Sequence, residues 1–271
     1  MLTEKEQSLN IFPCTYEIRN GGHLWRGKNI HNPSAELFYV LSGGIVFDVN
    51  GRSFVVPKNH MMVVPAGSRY TCWKIPDVPM EYIHFYFKAE WEETEFFQQL
   101  DFGEEYALLE VPREVILQIY ETTQYFSNEN IPQMMCICAQ SAKLLVLLAE
   151  AKTRKERLKR EYGDVISYIK EHIREEITLK DLAGLRNVCT SYFSSQFKET
   201  TGVSHMHYLK KLRLWEAAER LRIKEANIKQ VAAEVGFSNI YQFKHSFQAF
   251  FGVTPEKFAD AFIEPAYVSV R

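Results

Sequence analysis

One short helical pattern occurs twice in this chain. The segment FKETTGVS at 197–204 recurs as FQAFFGVT at 247–254, and a further phenylalanine, Phe193 or Phe243, stands four residues before each copy. Residues four apart lie on the same face of a helix, and a glycine after the last turn favours the left-handed conformation that ends a helix. Each copy therefore predicts a helix with a buried aromatic face and a defined end.

A shorter helix is predicted before each copy. Thr178 followed by Asp181 has the spacing of a capping box, and segment 228–238 has a helical pattern, a glycine stop and Ser238 in position to cap the next helix. A short helix, a tight turn and a longer helix are typical of a helix-turn-helix motif, whose second helix enters the major groove of DNA. We predict such motifs at 178–201 and 228–251.

The face opposite each aromatic pair contains no acidic residue. Hydroxyl, lysine, histidine and glutamine side chains can donate to phosphates and base edges, whereas carboxylates would repel the DNA backbone. The alternative is an ordinary solvated helix face, on which charges of both signs are usual. The predicted DNA contacts are Thr190, Ser191, Ser194, Ser195 and Lys198 in the first motif, and Asn239, Tyr241, Gln242, Lys244, His245 and Gln248 in the second.

Residues 160–263 resemble the DNA-binding domain of AraC/XylS-type transcription regulators. The resemblance implies two helix-turn-helix units that address successive major-groove segments, joined by a long helix at 207–222. Its candidate packing residues are Tyr208, Leu212, Trp215 and Leu221. The matching residues are Leu182, Ala183, Phe193, Phe197, Lys198, Gly202, Tyr208, Arg213, Ala217, Leu221, Ile228, Val231, Ala232, Val235, Gly236, Phe237, Ser238, Phe243, Phe247, Phe251, Gly252, Val253, Thr254 and Pro255.

The chain departs from this pattern where DNA is expected to be read. Cations that are frequent in the family are replaced by Ser195, His245, Gln248 and Ala259. Two further departures are Arg186, where an apolar residue is usual, and Cys189, where a serine cap is usual. Affinity per monomer is therefore expected to depend on dimerisation.

The two halves of the chain differ in charge. The 271 residues suffice for two domains; residues 1–153 hold 12 Lys and Arg against 19 Asp and Glu, a net charge of −7, and residues 154–271 hold 20 against 15, a net charge of +5. The basic half coincides with the predicted motifs, so DNA affinity should fall with salt through counterion release. The chain has no long apolar stretch, no export signal and an odd number of scattered cysteines, which predicts a cytoplasmic protein without membrane association.

Residues 1–110 read as an antiparallel β fold. Runs of Val, Ile, Phe and Tyr are broken by Gly, Pro and Asn; Asn50-Gly51 predicts a hairpin and Pro65-Ala66-Gly67 a turn before a strand at 82–87. A small β-barrel or jelly roll is the simplest fold. The segment resembles the cupin-like sensor domain that precedes the DNA-binding domain in many AraC-type regulators, through the runs YVLSG at 39–43, VPAG at 64–67 and YIHF at 82–85.

The histidine and carboxylate set of a metal-binding cupin is incomplete, so no metal, cofactor or catalytic residue is predicted. Flat aromatic rings with a few polar tips suit a sugar or another small polar ring. The same side chains could instead fill the barrel, and Ile83, Phe85 and Phe87 compete with their neighbours for its inside. The candidate effector-binding residues are His31, Glu36, Tyr70, Trp73, Tyr82, His84 and Tyr86.

Two amphipathic helices are predicted at 111–152, followed by a charged linker at 153–160 and the DNA-binding domain at 161–263. In regulators of this kind such helices commonly form the dimer interface, although packing on the barrel explains the same pattern. The predicted apolar stripes are Val115, Ile119, Thr122, Tyr125 and Phe126 in the first helix, and Cys138, Ala142, Leu145 and Ala149 in the second.

The sequence thus predicts an α+β protein of two domains: an N-terminal cupin-like antiparallel β-barrel with a helical dimerisation segment, and a C-terminal all-α domain with two helix-turn-helix motifs. The predicted function is a non-enzymatic, effector-controlled regulator that binds double-stranded promoter DNA as a homodimer. It is expected to activate genes of carbohydrate or other small-molecule metabolism together with RNA polymerase. The alternatives are a metal-dependent cupin enzyme with a helical appendage and an AraC-type regulator without a ligand.

Overall fold

The computed structural model describes residues 9–11, 15–20, 26–31, 35–49, 52–87, 89–91, 94–95, 108–123, 131–223 and 226–262. The chain divides into two compact units, residues 1–152 and 153–271. Within the described segments, no helix is both long enough and apolar enough to cross a membrane.

The first unit is built from antiparallel strands, as predicted, and these strands form three sheets. The order is β1-β10-β11 in the small sheet, β12-β7-β4-β9-β2 in the second and β3-β8-β5-β6 in the third. The strands are β1 Leu9–Ile11, β2 Thr15–Asn20, β3 Arg26–His31, β4 Ala35–Ser42, β5 Gly44–Val49, β6 Arg52–Pro57, β7 His60–Val64, β8 Arg69–Lys74, β9 Glu81–Phe87, β10 Ala89–Trp91, β11 Thr94–Glu95 and β12 Leu108–Glu110.

The predicted hairpin and turn are both present. Strands β5 and β6 pair in register up to Val49 and Arg52, which leaves two residues for the connection; Asn50 and Gly51 themselves lie outside the described residues. After β7, the backbone N–H of Ser68 donates to the carbonyl oxygen of Pro65 at 3.2 Å, and Gly67 adopts a φ of 78°. A positive φ costs glycine little, which accounts for glycine at this turn.

Strand β9 is buried on both faces. Tyr82 belongs to the core between the two larger sheets, together with Phe38 and Phe47. The alternate residues Ile83 and Phe85 belong to a second core, which packs the other side of the sheet against helices. The side chains on both faces of β9 are therefore buried, each face in a different hydrophobic core.

The helices of the first unit bury the predicted stripes only in part, with Ile119 and Leu145 as the predicted residues that are fully buried. Helix α1 (Arg113–Thr123) buries Ile116 and Ile119, while Val115 is half-buried. Helix α2 (Ile131–Glu171) buries Ser141, Leu144, Leu145 and Leu148 in its first part, so of the predicted stripe only Leu145 is fully buried. Both helices have apolar residues on more than one side, so packing on the sheet selects the inward face. The side chains of Thr122, Tyr125 and Phe126 lie outside the described residues.

The second unit consists of helices in the predicted order. Helix α2 runs on through the predicted linker and has non-helical backbone angles at Tyr162. The remaining helices are α3 Leu179–Leu185, α4 Thr190–Thr201, α5 His205–Leu221, α6 Ile228–Glu234, α7 Ile240–Phe251 and α8 Pro255–Asp260.

The helix ends follow the predicted local signals with one correction. Thr178 and Asp181 form the capping box of α3. Gly202 and Gly252 end α4 and α7 in the left-handed conformation. Asn239, and not Ser238, caps α7: its Oδ1 accepts from the backbone N–H groups of Tyr241 at 2.8 Å and Gln242 at 3.3 Å. Both residue types are good caps, and the helix begins one residue later than predicted.

The aromatic pairs form the cores of the two motifs, as predicted. Phe193 and Phe197 stack with ring centroids 5.5 Å apart, and Phe247 lies 5.6 Å from Phe243 and 4.5 Å from Phe251. All five rings are at most 2% exposed.

All four residues predicted to pack on the connecting helix α5 make packing contacts, and four further residues of this helix are buried. Of the four predicted packing positions only Leu221 is fully buried; Tyr208 and Leu212 are half-buried against the first motif. Trp215 contacts the rings of Phe250 and Phe251 edge-on. A helix between two motifs buries more than one face, which a single stripe does not describe. Its fully buried residues are Leu209, Leu214, Ala217, Ala218 and Leu221.

Candidate functional site

The outer face of α4 lies opposite its phenylalanine core. Of the five residues predicted to contact DNA, Ser194 is half-buried and the other four are exposed. The N-cap residue is Cys189, whose Sγ lies 3.4 Å from the Oγ of Ser191. The hydrogen bond with the Ser191 side chain, followed by backbone N–H groups of the first turn, lowers the pKa of the Cys189 thiol. The five residues predicted to contact DNA are thus polar and non-acidic, with Lys198 as their cation.

The outer face of α7 has the same orientation relative to its own core. Asn239, Tyr241, Gln242, His245 and Gln248 are exposed, and the side chain of Tyr241 is 80% exposed. Lys244 is half-buried, and its Nζ lies 2.5 Å from the Oε1 of Glu256. To bind a phosphate, Lys244 would have to exchange this carboxylate for the DNA backbone.

Tyr192 was missed in the sequence although it stands on the same surface. Its side chain is 58% exposed, and it lies between Ser191 and Phe193 at the start of α4. When the two copies are aligned on Phe193 and Phe243, Tyr192 corresponds to Gln242, which was predicted to contact DNA. That alignment is the signal that could have found it.

Arg186, which departs from the family pattern, ties the turn after α3 to helix α2. Its Nη1 donates to Asp164 Oδ1 at 2.9 Å and to the carbonyl oxygen of Glu161. The guanidinium also lies 5.3 Å from the ring centroid of Tyr162. A cation above an aromatic face is attracted to it, so Arg186 has a structural role in the first motif.

A second candidate site lies in the core between the two larger sheets of the first unit. Glu36, Tyr70 and His84 are each at most 3% exposed. The Tyr70 hydroxyl donates to Glu36 Oε2, and His84 Nε2 lies 3.2 Å from Glu36 Oε1. The His84 ring stacks on Phe38 with centroids 4.2 Å apart, and Tyr82 lies next to it at 6.3 Å. The structure therefore brings four predicted effector residues together, with Tyr70 and His84 at the buried carboxylate of Glu36 and Tyr82 beside His84.

The other predicted effector residues do not join this group in the described structure. The prediction was wrong for Trp73, which is half-exposed and lies on the face of β8 opposite Tyr70, because the two residues are three positions apart in a strand whose side chains alternate. In the pairing of β3 with β8, His31 is opposite Arg69, whereas Ile30 is opposite Tyr70. The side chains of His31 and Tyr86 lie outside the described residues. Within the described parts of the chain, no three His, Cys, Asp or Glu side chains are grouped closely enough to hold a metal ion.

Both parts of the chain match known protein families. Residues 14–113 match the AraC-like ligand binding domain, and residues 182–261 match a helix-turn-helix domain. Residues that match a ligand binding domain are thus followed by residues that match a helix-turn-helix domain, which is the domain arrangement of AraC-type regulators. The chain belongs to the AraC family of transcription regulators.

Three relatives illustrate the similarity. The uncharacterised transcriptional regulator YobQ of Bacillus subtilis is 35% identical over 37% of this chain and 42% of its own length. The raffinose operon regulatory protein RafR of Pediococcus pentosaceus is 28% identical over 40% of this chain and 39% of its own. The transposon Tn10 TetD protein of Escherichia coli is 32% identical over 34% of this chain and 67% of its own. The matched region thus spans about two fifths of YobQ and RafR.

Proposed function

We propose that this protein is a sequence-specific transcription regulator whose helices α4 and α7 enter successive major-groove segments of promoter DNA. The observation that supports this most is the shared geometry of the two helices. Each is anchored by buried phenylalanines and presents an exposed, non-acidic polar face on the opposite side. Short side chains such as Ser191 and Ser195 let α4 approach the base edges closely, and Gln242 and His245 give α7 groups that can read them.

Lys198 is proposed to contact a phosphate, since it is exposed at the last turn of α4. We expect Lys198→Ala to weaken binding to all DNA sequences and to reduce the slope of log affinity against log salt by about 0.9, the value for one phosphate contact. The affinity is measured by fluorescence anisotropy at several salt concentrations, on a duplex that the wild-type chain enriches from a random pool. Lys170→Ala is the control, because Lys170 is exposed in the same unit but lies outside both motifs. An unchanged slope in Lys198→Ala would remove this residue from the interface.

Base reading is proposed for Gln242 and His245, which are exposed on α7. Replacing either with alanine should change which sequences are enriched from the pool, rather than weaken all of them equally. The enriched sequences are compared with those selected by the wild-type chain. Identical preferences would assign these residues to backbone contacts.

The effector is proposed to be a small polar molecule, such as a sugar, bound at Glu36, Tyr70 and His84. A buried carboxylate among aromatic rings offers acceptors to ligand hydroxyls and flat surfaces to a ring. RafR is named for the raffinose operon, so raffinose heads a panel of sugars to be tested by thermal stabilisation. Glu36→Gln keeps the size of the side chain and should abolish the increase in melting temperature that the sugar causes. A panel without any shift would favour a regulator without a ligand, and stoichiometric metal in the purified protein would favour the cupin enzyme.

A homodimer is proposed to form through the outer face of α2. Met135 is 68% and Val146 55% exposed, and Ala139 lies exposed between them at helical spacing. An apolar stripe of this kind is typical of an interaction surface. Sedimentation equilibrium should give a dimer for the wild-type chain and a monomer for Val146→Glu. Equal masses for the two proteins would place the dimer interface elsewhere.

The proposed regulatory effect is activation in the cytoplasm, with RNA polymerase as the partner at the promoter. A reporter gene behind an enriched site tests this directly. Expression should rise when the chain and its effector are present, whereas a fall would make the protein a repressor.

A further inference from the structure

Arg213 of helix α5 holds the segment that leads into the first motif. Its Nε donates to the carbonyl oxygen of Ile173 at 3.1 Å, and its Nη2 donates to the carbonyl oxygen of Glu175 at 2.6 Å. Burial lowers the pKa of this guanidinium. Residues 173–175 come shortly before Thr178, the cap of α3, so Arg213 fixes the point at which the first motif begins.

Gly236 of the second motif packs against the same carbonyl group of Ile173. This glycine follows α6 and has a φ of 84°, and a Cβ added to it would lie 2.5 Å from the carbonyl oxygen of Ile173 and 2.8 Å from the Arg213 guanidinium. The backbone of the second motif thus packs directly on the carbonyl group that Arg213 holds. Only a residue without a side chain allows this approach.

Glu234 adds a second connection between the motifs. Its Oε2 accepts from Arg220 Nη1 of α5 at 2.6 Å, and its Oε1 lies 3.6 Å from Arg174 Nη2. The carbonyl oxygen of Glu234 also accepts from Arg174 Nε at 3.0 Å. Arg174 belongs to the segment that leads into the first motif and Glu234 belongs to the second motif, so these contacts join that segment to the second motif beside Gly236.

We infer that Arg213, Glu234 and Gly236, with Arg174 and Arg220, form a joint that fixes the rotation of one motif relative to the other, and with it the spacing of base pairs that the protein accepts. The inference rests on the proposed binding of DNA by both motifs. Arg174 and Arg220 are partly exposed, and exposed ion pairs add little to stability. We expect these contacts to set the orientation of the two motifs rather than the stability of the unit. One added base pair rotates the second groove segment by about 35°, so a recognition helix held in a fixed orientation no longer faces its site.

Two substitutions loosen the joint without disturbing either motif core. Glu234→Gln weakens the contacts to Arg220 and Arg174, and Arg174→Ala removes a side chain that is 61% exposed. Glu219→Gln is the matched control. It weakens an Arg–Glu contact of the same 2.6 Å length, from Arg222 Nη1 to Glu219 Oε2, that stays at the end of α5.

The test uses full-length protein and the duplex that the wild-type chain enriches from a random pool. Affinity is compared on this duplex and on one with a single base pair inserted between its two recognition elements. We expect the insertion to weaken the wild type and Glu219→Gln about tenfold or more, and Glu234→Gln and Arg174→Ala about threefold or less, since a loose connection tolerates a change in spacing that a rigid one does not. Circular dichroism confirms that each variant is folded.

The outcomes separate this inference from the proposed function. If both joint variants lose as much affinity on insertion as the wild type does, the joint does not set the spacing, although DNA binding stands. If the wild-type chain enriches a single short element, the two motifs do not read DNA together and the joint has no such role. If it enriches no sequence, DNA reading itself is refuted.

Discussion

Gly236→Ala and Gly202→Ala form a matched pair that measures the close approach between the motifs. Both glycines have a positive φ, 84° and 77°. Alanine in this left-handed conformation costs about 1–2 kcal/mol at either position. Among the described residues, no heavy atom lies within 4 Å of a Cβ added at Gly202, whereas at Gly236 the Ile173 carbonyl oxygen would be at 2.5 Å.

The difference between the two substitutions therefore isolates the contact. To admit a Cβ, the Ile173 carbonyl group and the Arg213 guanidinium must both shift, and we expect this to break the hydrogen bond that Arg213 Nε donates to Ile173 at 3.1 Å. A hydrogen bond from a charged group contributes about 1.5–3 kcal/mol, so we expect Gly236→Ala to destabilise the second unit by about that much more than Gly202→Ala does. Hydrogen exchange of peptides from residues 153–223 and 226–262, with mass spectrometry, reports this unit separately from the first. An equal decrease in stability in the two variants would show that the contact between Gly236 and the Ile173 carbonyl group is not tight.

Three further predictions concern single contacts. Phe247→Ala should destabilise the second motif by about 3–5 kcal/mol, since this ring is fully buried, and the exchange of α7 peptides should report the loss; a change below about 1 kcal/mol would contradict the assigned core. Thr178→Ala should cost about 1 kcal/mol by removing the cap of α3, measured by urea unfolding, and equal stability would mean that the capping box contributes nothing. Hydrogen bonds from Gln230 and Arg220 lower the pKa of Glu234, so its stabilising contribution is present above the unfolded-state pKa and is lost as the pH falls through the folded-state value. Exchange of α6 peptides should therefore accelerate on acidification more in the wild type than in Glu234→Gln, and parallel curves would refute this role.

The helix-turn-helix motifs could be predicted from the sequence because their signals are local. The phenylalanines four apart and the glycines after them determine a buried face and a helix end within one segment. The sequence predicted Ser238 as the cap of α7, whereas the cap is Asn239, because two adjacent residues are both of a type that caps helices. Such a choice depends on where the preceding turn ends.

The interior of the β domain was predicted only in part. Tyr70 and His84 converge on Glu36 as expected, but Trp73 was placed in the same group although its odd separation from Tyr70 puts it on the other face of the strand. Strand alternation was therefore sufficient to exclude it. The stripe on α2 was misplaced for another reason, because apolar residues surround much of that helix and packing selects among them.

The joint between the motifs could not be predicted from the sequence. Ile173, Arg213 and Gly236 are far apart in the chain, and no periodic pattern links them. Gly236 was correctly identified as the end of a helix, but its second role depends on a backbone that approaches from a distant segment. Contacts of this kind become visible only when the fold is known.

Helices α4 and α7 of one chain are proposed to read DNA together. Hydroxyl-radical footprinting on an enriched duplex tests it most directly, with Phe247→Ala as a chain in which the second motif is disrupted. We expect each wild-type chain to protect two segments on one face of the duplex, about one helical turn or 34–36 Å apart, and the variant to protect only one of them. A single protected segment in the wild type, or two segments on opposite faces, would contradict it.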